Sequence, residues 1–277
     1  MNAKSETLYI DLLKKVLTFA LWDEPMTPIT TYSFNRPFVV RILISAISKL
    51  LDSMNLQLVK NLNISKDDRM EGRIWPGLAH TMVGQKRLEN LQFCIETVLE
   101  DGIEGDFIET GVWRGGSCIF MRGVLSVYGI TNRRVYVADS FQGLPKPDNE
   151  NYPEDKGVKF DKIKYLSISE AEVKNNFQKY GLLDDQVVFL KGWFNETLPK
   201  APIQKLSIMR LDGDMYGSTM DALTNLYPKL SPGGFCIIDD YEMNICRKAV
   251  DDYRENNDIH EQIQKIDWTG IYWRKRS

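Results

Sequence analysis

The stretch that decides the fold runs from residue 206 to residue 241 and reads LSIMRLDGDMYGSTMDALTNLYPKLSPGGFCIIDDY. Two apolar runs, LSIMRL and GFCII, flank the helix-type pattern STMDALTNLYPKL. A strand, a helix and a second strand form the repeating unit of a parallel sheet, because parallel neighbours need a crossover connection. Both runs end in aspartates, at the end of the strands where such sheets bind ligands. The stretch therefore predicts an α/β fold with an acidic ligand site.

The same alternation extends over the chain from about residue 84. Further strands are predicted in GDFIETG, RVYVADS and QVVFL, with amphipathic helices between them and a long polar loop to about residue 166. Two short strands, QIQKID and GIYWRK, are separated only by Trp268 and Thr269 and close the chain as an antiparallel pair. We therefore expect a mostly parallel sheet with helices on both faces and one mixed edge.

Residues 1–80 have a different sequence pattern. Their apolar residues recur with the period of a helix, and loop-like segments interrupt this pattern. The segment LYIDLLKKVLTFAL predicts a helix that Pro25 and Pro28 end. Its predicted buried face consists of Leu8, Leu12, Leu13, Val16 and Leu17. A second helix is predicted from Pro37 to about residue 51. This segment is apolar, and it needs a partner surface that a second copy of the chain or the sheet could supply.

Composition excludes several classes of protein. The chain has 277 residues, 43% of them hydrophobic and 26% charged, which is typical of a soluble globular protein. Its net charge of −3 gives no reason to expect binding to nucleic acid or to an anionic membrane. Four cysteines without CxxC spacing favour neither a zinc site nor a disulfide framework. No apolar run reaches the ~20 residues of a membrane span, so we expect a soluble cytoplasmic protein.

The strand-to-helix turn in GDFIETGVWRGGS points to a small-molecule pocket. Its glycines let a ligand approach the backbone, although a plain tight turn would use them too. The spacing is neither GxGxxG nor GxxxxGK[ST], which disfavours a nicotinamide or ATP site. Glu109 could accept a ligand's ammonium group, and Asp139 could accept the hydroxyls of a ribose or simply form a turn. Trp193 could line an adenine pocket or belong to the core.

Four acids follow the two strands of the opening stretch: Asp212, Asp214, Asp239 and Asp240. If the strands are neighbours, their ends lie ~5 Å apart and three or four carboxylates converge. Such a cluster raises pKa values and destabilises the fold unless a cation compensates it. Oxygen ligands without nearby Cys or His suit Mg²⁺ or Ca²⁺. The alternative is that Asp214 and Asp240 are helix N-caps, which leaves Asp212 and Asp239 unexplained.

Together with TMVGQKRLENLQ and ADSFQGLP, these motifs resemble the macrocin O-methyltransferase (TylF/MycF) family over roughly residues 70–245. Its members are class I, Mg²⁺-dependent enzymes that use S-adenosyl-L-methionine to methylate sugar hydroxyls on macrolides and related compounds. The resemblance implies a Rossmann-like fold with a seven-stranded, mostly parallel sheet and an antiparallel edge strand. It also implies a helical lid and oligomerisation region in residues 1–80, a methyltransferase domain in residues 81–277, and a homo-oligomer.

The resemblance also assigns roles to individual residues. The metal ligands would be Asp212, Asp239 and Asp240, with Asp212 as the general base. The implied cofactor contacts are Met82, Glu109, Thr110, Gly111, Asp139, Ser140, Phe141 and Trp193. The expected acceptor is a hydroxyl of a small natural-product glycoside or a glycan. Two other activities stay open: methylation of a catechol-like or phenolic diol, and non-catalytic binding of S-adenosyl-L-methionine.

Overall fold

The computed structural model describes residues 3–23, 27–30, 33, 36–60 and 65–276, so the predicted helix stop at Pro25 lies outside it. The N-terminal elements are α1 (Ala3–Leu17), β1 (Thr27–Pro28), α2 (Phe38–Asp52), β2 (Val59–Lys60) and α3 (Lys66–Glu71). They are followed by α4 (Gln85–Glu100), β3 (Asp106–Thr110), α5 (Gly116–Val127), β4 (Val135–Asp139), α6 (Glu170–Lys179), β5 (Val187–Lys191) and α7 (Phe194–Thr197). The last elements are β6 (Leu206–Leu211), α8 (Tyr216–Leu226), β7 (Leu230–Ile238), α9 (Asn244–Asn256), β8 (Gln264–Lys265) and β9 (Ile271–Arg274).

A seven-stranded sheet in the order β5-β4-β3-β6-β7-β9-β8 organises the molecule. The first five strands are parallel, whereas β9 runs antiparallel to β7 and β8 antiparallel to β9. The predicted mixed sheet with an antiparallel edge is thus confirmed. The chain crosses from β3 towards β4 on one side and returns to β6 on the other. Ligands bind beside such a switch point, at the carboxyl ends of the strands.

Helices cover both faces of the sheet because side chains alternate along each strand. In β3, Phe107 points to the cluster formed with α1, α4, α5 and α6, while Ile108 points to the cluster formed with α8 and α9. Strands buried on both faces have continuous apolar sequences, as β6 and β7 do.

Helix α1 packs against α5 with a face that agrees only in part with the predicted one. Ile10, Leu13 and Leu17 are buried, whereas Leu8 and Leu12 are 61% and 51% exposed. Lys14 lies within the buried stripe, where its ammonium group donates to Gln92 Oε1 at 2.9 Å. The buried positions follow the spacing i, i+3, i+4 and i+7, so the predicted face was right at Leu13 and Leu17 and wrong at Leu8 and Leu12.

Helix α2 forms where it was predicted, yet none of its residues is buried. Its apolar side chains are solvent-exposed in the single chain; Phe38, for example, is 73% exposed. Within the described part of the chain, no helix combines the length and the apolar character needed to cross a bilayer. The division at residue 80 and the cytoplasmic location stay predictions.

The polar loop between β4 and α6 contains three short 3₁₀ turns, at Pro153–Asp155, Phe160–Lys162 and Lys164–Leu166. Connections of this length without regular structure usually serve a ligand site. Its carboxylate Asp155 is only 1% exposed, and the loop therefore docks on the body of the protein.

His80 joins the N-terminal region to the glycine turn. Its main-chain N–H donates to Leu17 O, and its main-chain carbonyl accepts from Gly116 N, both at 2.9 Å. The imidazole Nδ1 lies 2.6 Å from the hydroxyl of Tyr180. Burial, together with the charges of Lys179 and Arg114, lowers the pKa of His80 to about 4.

We expect His80 to make the protein sensitive to acid. A depressed pKa in the folded state means that folding favours the neutral imidazole. The contribution of His80 to the free energy of unfolding is therefore complete above the unfolded-state pKa of ~6.5 and is lost as the pH falls towards 4. Urea unfolding at pH 7.5 and pH 5 should show a larger loss of stability in the wild type than in His80→Gln. Equal losses in the two proteins would contradict this prediction.

Candidate active site

Gly111 brings the end of β3 against the end of β6. It has φ +80°, and its N–H donates to Ala138 O at 2.9 Å. An added Cβ at this position would lie 1.8 Å from the carbonyl oxygen of Asp212. Only glycine fits such an approach, so the turn predicted to receive a ligand also positions the acid of the neighbouring strand.

Asp139 is the last residue of β4, and its carboxylate connects the glycine turn to the loop that follows β4. Its Oδ2 accepts from Val112 N at 2.8 Å, and its Oδ1 accepts from Phe141 N at 2.6 Å. Burial raises the pKa of this carboxyl, and the bonds from backbone N–H groups oppose the rise. Each carboxylate oxygen can accept more than one hydrogen bond, so Asp139 can still bind a hydroxyl.

Glu109 lies behind the turn and is 2% exposed. Its carboxylate accepts from the Arg210 guanidinium and, at 2.9 Å, from the thiol of Cys118. Burial raises the pKa of Glu109 to about 7, although the positive charge of Arg210 opposes the rise. The adjacent Thr110 hydroxyl is buried and has no hydrogen-bond partner among the described residues. The predicted ammonium-binding role of Glu109 stays a proposal.

A cavity of about 570 Å³ opens at this end of the sheet, within the range of small-molecule sites. Six predicted site residues line it: Met82, Gly111, Asp139, Ser140, Trp193 and Asp212. Phe141 differs, because its side chain is 6% exposed and packs in the core against Phe189, with ring centroids 5.9 Å apart. Trp113, with φ +46°, also lines the cavity and was not among the predicted residues.

Three carboxylates from two strand ends meet beside the cavity. Ligand atoms of Asp212, Asp214 and Asp240 lie within 4.8 Å of one another. Burial raises the pKa of Asp212 to about 6, and the charge of Asp239 adds to the rise. Burial and the charge of Asp212 raise the pKa of Asp214 to about 8. The pKa of Asp240 rises well above its usual range through burial and the charges of the other acids.

The two capping alternatives are wrong. Helix α8 begins after Met215 and helix α9 after Met243, so neither Asp214 nor Asp240 is the N-cap. Their carboxylates are therefore not needed to satisfy the first turn of a helix. Asp240 Oδ2 is buried and has no hydrogen-bond partner among the described residues. Three carboxylates with one orphaned oxygen suit a hard divalent cation.

Asp239 lies differently from the other acids, because two arginines bind it. Its Oδ2 accepts from Arg87 Nη1 at 2.5 Å, and its Oδ1 accepts from Arg210 Nη2. Arg210 Nη1 also donates to Asp212 Oδ2 at 3.1 Å. Sequence reasoning missed both arginines, although a charged residue inside the buried run LSIMRL was a detectable signal.

Asp155 was missed as well, and it holds the β4–α6 loop over the cavity. Its two oxygens accept from Tyr216 N at 2.8 Å and from Gly217 N at 2.9 Å, at the start of α8. The carboxylate thus caps a helix that begins two residues after Asp214. In the same loop, the Tyr152 hydroxyl donates to Asp221 Oδ1 at 2.6 Å.

The switch point, the glycine turn and the acid after the next strand together define a class I S-adenosylmethionine-dependent methyltransferase. The family model for macrocin-O-methyltransferase (TylF) matches residues 6–275. The chain therefore belongs to the TylF macrocin-O-methyltransferase family and is an S-adenosylmethionine-dependent O-methyltransferase.

Curated relatives and a solved structure agree with this assignment. The chain is 48% identical over 275 residues to the 8-demethyl-8-(2,3-dimethoxy-alpha-L-rhamnosyl)-tetracenomycin-C 4'-O-methyltransferase of Streptomyces olivaceus, covering 99% of this chain and 95% of the relative. It is 51% identical over 221 residues to the mycinamicin III 3''-O-methyltransferase of Micromonospora griseorubida, covering 79% of this chain and 87% of the relative. The structure of the O-methyltransferase NovP matches with a TM-score of 0.83 and 42% identity, over 98% of this chain and 100% of that one.

We expect Asp155→Asn to loosen the loop over the cavity. Losing the charge at the start of α8 should cost roughly 1 kcal/mol and lower the melting temperature by about 2–4 °C. Limited proteolysis should cut within residues 142–166 faster than in the wild type. Asp161→Asn, in the same loop but partly exposed, is the control; equal cutting rates in the two variants would refute the role of Asp155.

Proposed function

We propose that the chain transfers the methyl group of S-adenosyl-L-methionine to a hydroxyl of a sugar, in a natural-product glycoside or a glycan. The observation that carries this proposal is the shared cavity. Asp212 and Asp214 of the acidic cluster line it together with Gly111 and Asp139 of the cofactor side. The name of the Streptomyces olivaceus relative, which includes a rhamnosyl group, supports a sugar acceptor.

For the cofactor, we propose that the Glu109–Gly111 turn receives the methionine part and that Asp139 accepts the ribose hydroxyls. Met82, Ser140 and Trp193 line the same cavity and would contact the remaining surface. Phe141 would act through its N–H, which holds the Asp139 carboxylate.

We further propose that a divalent cation, Mg²⁺ by the oxygen-only donor set, belongs to the acidic cluster. Asp212 and Asp240 are common to the ligand set implied by the family resemblance and to the group that the structure brings together. For the third position the resemblance implies Asp239, whereas the structure offers Asp214. Asp239 can reach a cation only if it gives up an arginine bond. Cation affinity in Asp214→Asn distinguishes the two: a loss favours Asp214 as the third ligand, and unchanged affinity favours Asp239.

Methyl transfer requires the acceptor hydroxyl to lose its proton. Taking the pKa of water, ~15.7, as a proxy for an alcohol, ionisation near pH 7 costs roughly 12 kcal/mol. The chemistry that a divalent cation supplies when bound is stabilisation of a hydroxyl oxygen that is losing its proton. Asp212 lies at the cavity and within the cluster, so its carboxylate is placed to accept that proton. The cavity walls hold the acceptor oxygen near the methyl donor.

A catechol-like or phenolic diol acceptor remains the alternative, because a pair of neighbouring hydroxyls has the same chelating geometry. Parallel assays with a rhamnosyl glycoside and a catechol, at equal enzyme and cofactor concentrations, separate the two. Transfer to the catechol alone would replace the sugar proposal. Cofactor binding without transfer to any tested diol would favour the non-catalytic alternative.

We expect Asp212→Asn to lower kcat by about 10²–10⁴-fold, because a general base is lost. The dissociation constant of S-adenosyl-L-methionine, measured by calorimetry, should change little. Glu196→Gln, an exposed acid on the same cavity, is the control and should keep its activity. Unchanged turnover in Asp212→Asn would eliminate this residue as the base, and activity that persists in EDTA would eliminate the cation.

We also propose that the chain forms a homo-oligomer through α2. The helix exposes a continuous apolar surface, including Phe38, Ile42 and Leu43, and no part of the described chain buries it. Monomeric proteins rarely expose contiguous apolar patches of this kind. A second copy of α2 would bury like against like around a two-fold axis.

We expect the double variant Ile42→Glu, Leu43→Glu to shift the protein towards the monomer in sedimentation velocity. Both side chains are more than half exposed in the single chain, so folding of the monomer should be unaffected. Lys49→Glu alters an exposed charge on the same helix without removing apolar surface, and it should keep the wild-type state. A wild type that is monomeric at micromolar concentration would contradict the proposal.

A further inference from the structure

The segment that carries Asp239 and Asp240 is held from behind by residues far away in the chain. Arg87, in the first turn of α4, is 7% exposed and donates from Nη1 to Asp239 Oδ2 at 2.5 Å. Arg210 takes the other carboxylate oxygen of Asp239. With both oxygens bound by buried guanidinium groups, the Asp239 side chain has one defined orientation.

Asp267 holds Arg87 from the opposite side. Arg87 Nε donates to Asp267 Oδ2 at 2.7 Å, and the Asp267 side chain is 0% exposed. Asp267 Oδ1 accepts from Thr269 N at 3.0 Å and from Gly270 N at 2.8 Å. Asp267 therefore connects α4 to the loop between β8 and β9, at the antiparallel edge of the sheet.

Thr269 completes the connection, because its hydroxyl donates to the Asp239 carbonyl oxygen at 3.1 Å. The Asp239 residue is thus held at its side chain by Arg87 and at its main chain by Thr269. The next residue, Asp240, supplies the carboxylate of the acidic cluster that has an orphaned oxygen. A shift of Asp239 moves Asp240 with it, since the peptide unit between them is planar and rigid.

We propose that Arg87, Asp267 and Thr269 form a brace that positions the Asp239–Asp240 segment and thereby sets the affinity of the acidic cluster for a divalent cation. The three residues act through Asp239, so they are positioning residues and not catalytic ones. The effect on cation affinity rests on the proposed function, whereas the effect on the mobility of residues 238–243 does not. Groups that orient ligands in this way typically contribute 10–100-fold to metal affinity.

The test is titration with Mn²⁺, followed by electron paramagnetic resonance, in full-length wild type, Arg87→Met, Arg87→Lys and Thr269→Val. We expect the Mn²⁺ dissociation constant to rise about 10–100-fold in Arg87→Met, with a smaller rise in Thr269→Val. Arg87→Lys should recover only part of the loss, because an ammonium group cannot reproduce the two directed bonds of Arg87 to Asp239 and Asp267. The dissociation constant of S-adenosyl-L-methionine should change less than threefold.

Arg122→Met is the matched control. Arg122 is equally buried and pairs with Asp184, which lies before the start of β5 at the other end of the sheet. This variant should lose thermal stability without losing Mn²⁺ affinity. Equal losses of Mn²⁺ affinity in Arg122→Met and Arg87→Met would mean that any loss of overall stability lowers the affinity, and would overturn the proposal.

Hydrogen–deuterium exchange over residues 238–243 is the second readout and needs no metal. Exchange there should be faster in Arg87→Met and Thr269→Val than in Arg122→Met. If the wild type binds no Mn²⁺, the cation of the proposed function fails, and the brace is then judged by exchange alone. Unchanged exchange and unchanged Mn²⁺ affinity in Arg87→Lys and Thr269→Val would overturn the brace even if Arg87→Met does not fold.

Discussion

The buried guanidinium of Arg210 is the interaction on which this end of the molecule depends. It stands near the carboxyl end of β6, is 2% exposed, and binds Glu109, Asp212 and Asp239 from three neighbouring strands. Acids so close together could not all stay ionised in a buried place without an opposite charge. Breaking such a buried pair by removing one partner typically costs about 3–5 kcal/mol. The acidic ends of three strands can lie together because the positively charged guanidinium of Arg210 is buried among them.

The distribution of positive charge divides the acids into two groups. Arginines bind both oxygens of Asp239 and one oxygen of Glu109, and these ion pairs connect neighbouring elements of the fold. Among the residues that the structure describes, no arginine binds Asp214 or Asp240, and Asp212 accepts one hydrogen bond from Arg210, at 3.1 Å. Asp212 and Asp214 of this second group line the cavity. Burial raises the pKa values of these three acids, as it also raises the pKa of Glu109.

Patterns within short stretches of the sequence were sufficient for the sheet, the glycine turn and the four acids. Strand, turn and helix each have a local signature, and neighbouring strand ends follow from topology. The pairing of Arg87 has no such signature, because Arg87 meets Asp239 across 152 positions and Asp267 across 180. Asp155 likewise reaches Tyr216 across 61 positions from an irregular loop. In α1, the predicted face shares Leu13 and Leu17 with the buried one, and packing against α5 rotates it to include Ile10 in place of Leu8 and Leu12.

The loop over the cavity has a consequence for how members of such a family can diverge. Residues 142–166 are one uninterrupted piece of chain, fastened to α8 by Asp155 and Tyr152. The acids and the glycine turn belong instead to strand ends locked together by the close approach of Gly111 to Asp212. Insertions or substitutions in the loop can reshape one wall while the opposite floor keeps its geometry. The fold thus allows the loop to vary independently of the strand ends that carry the acids and the glycine turn.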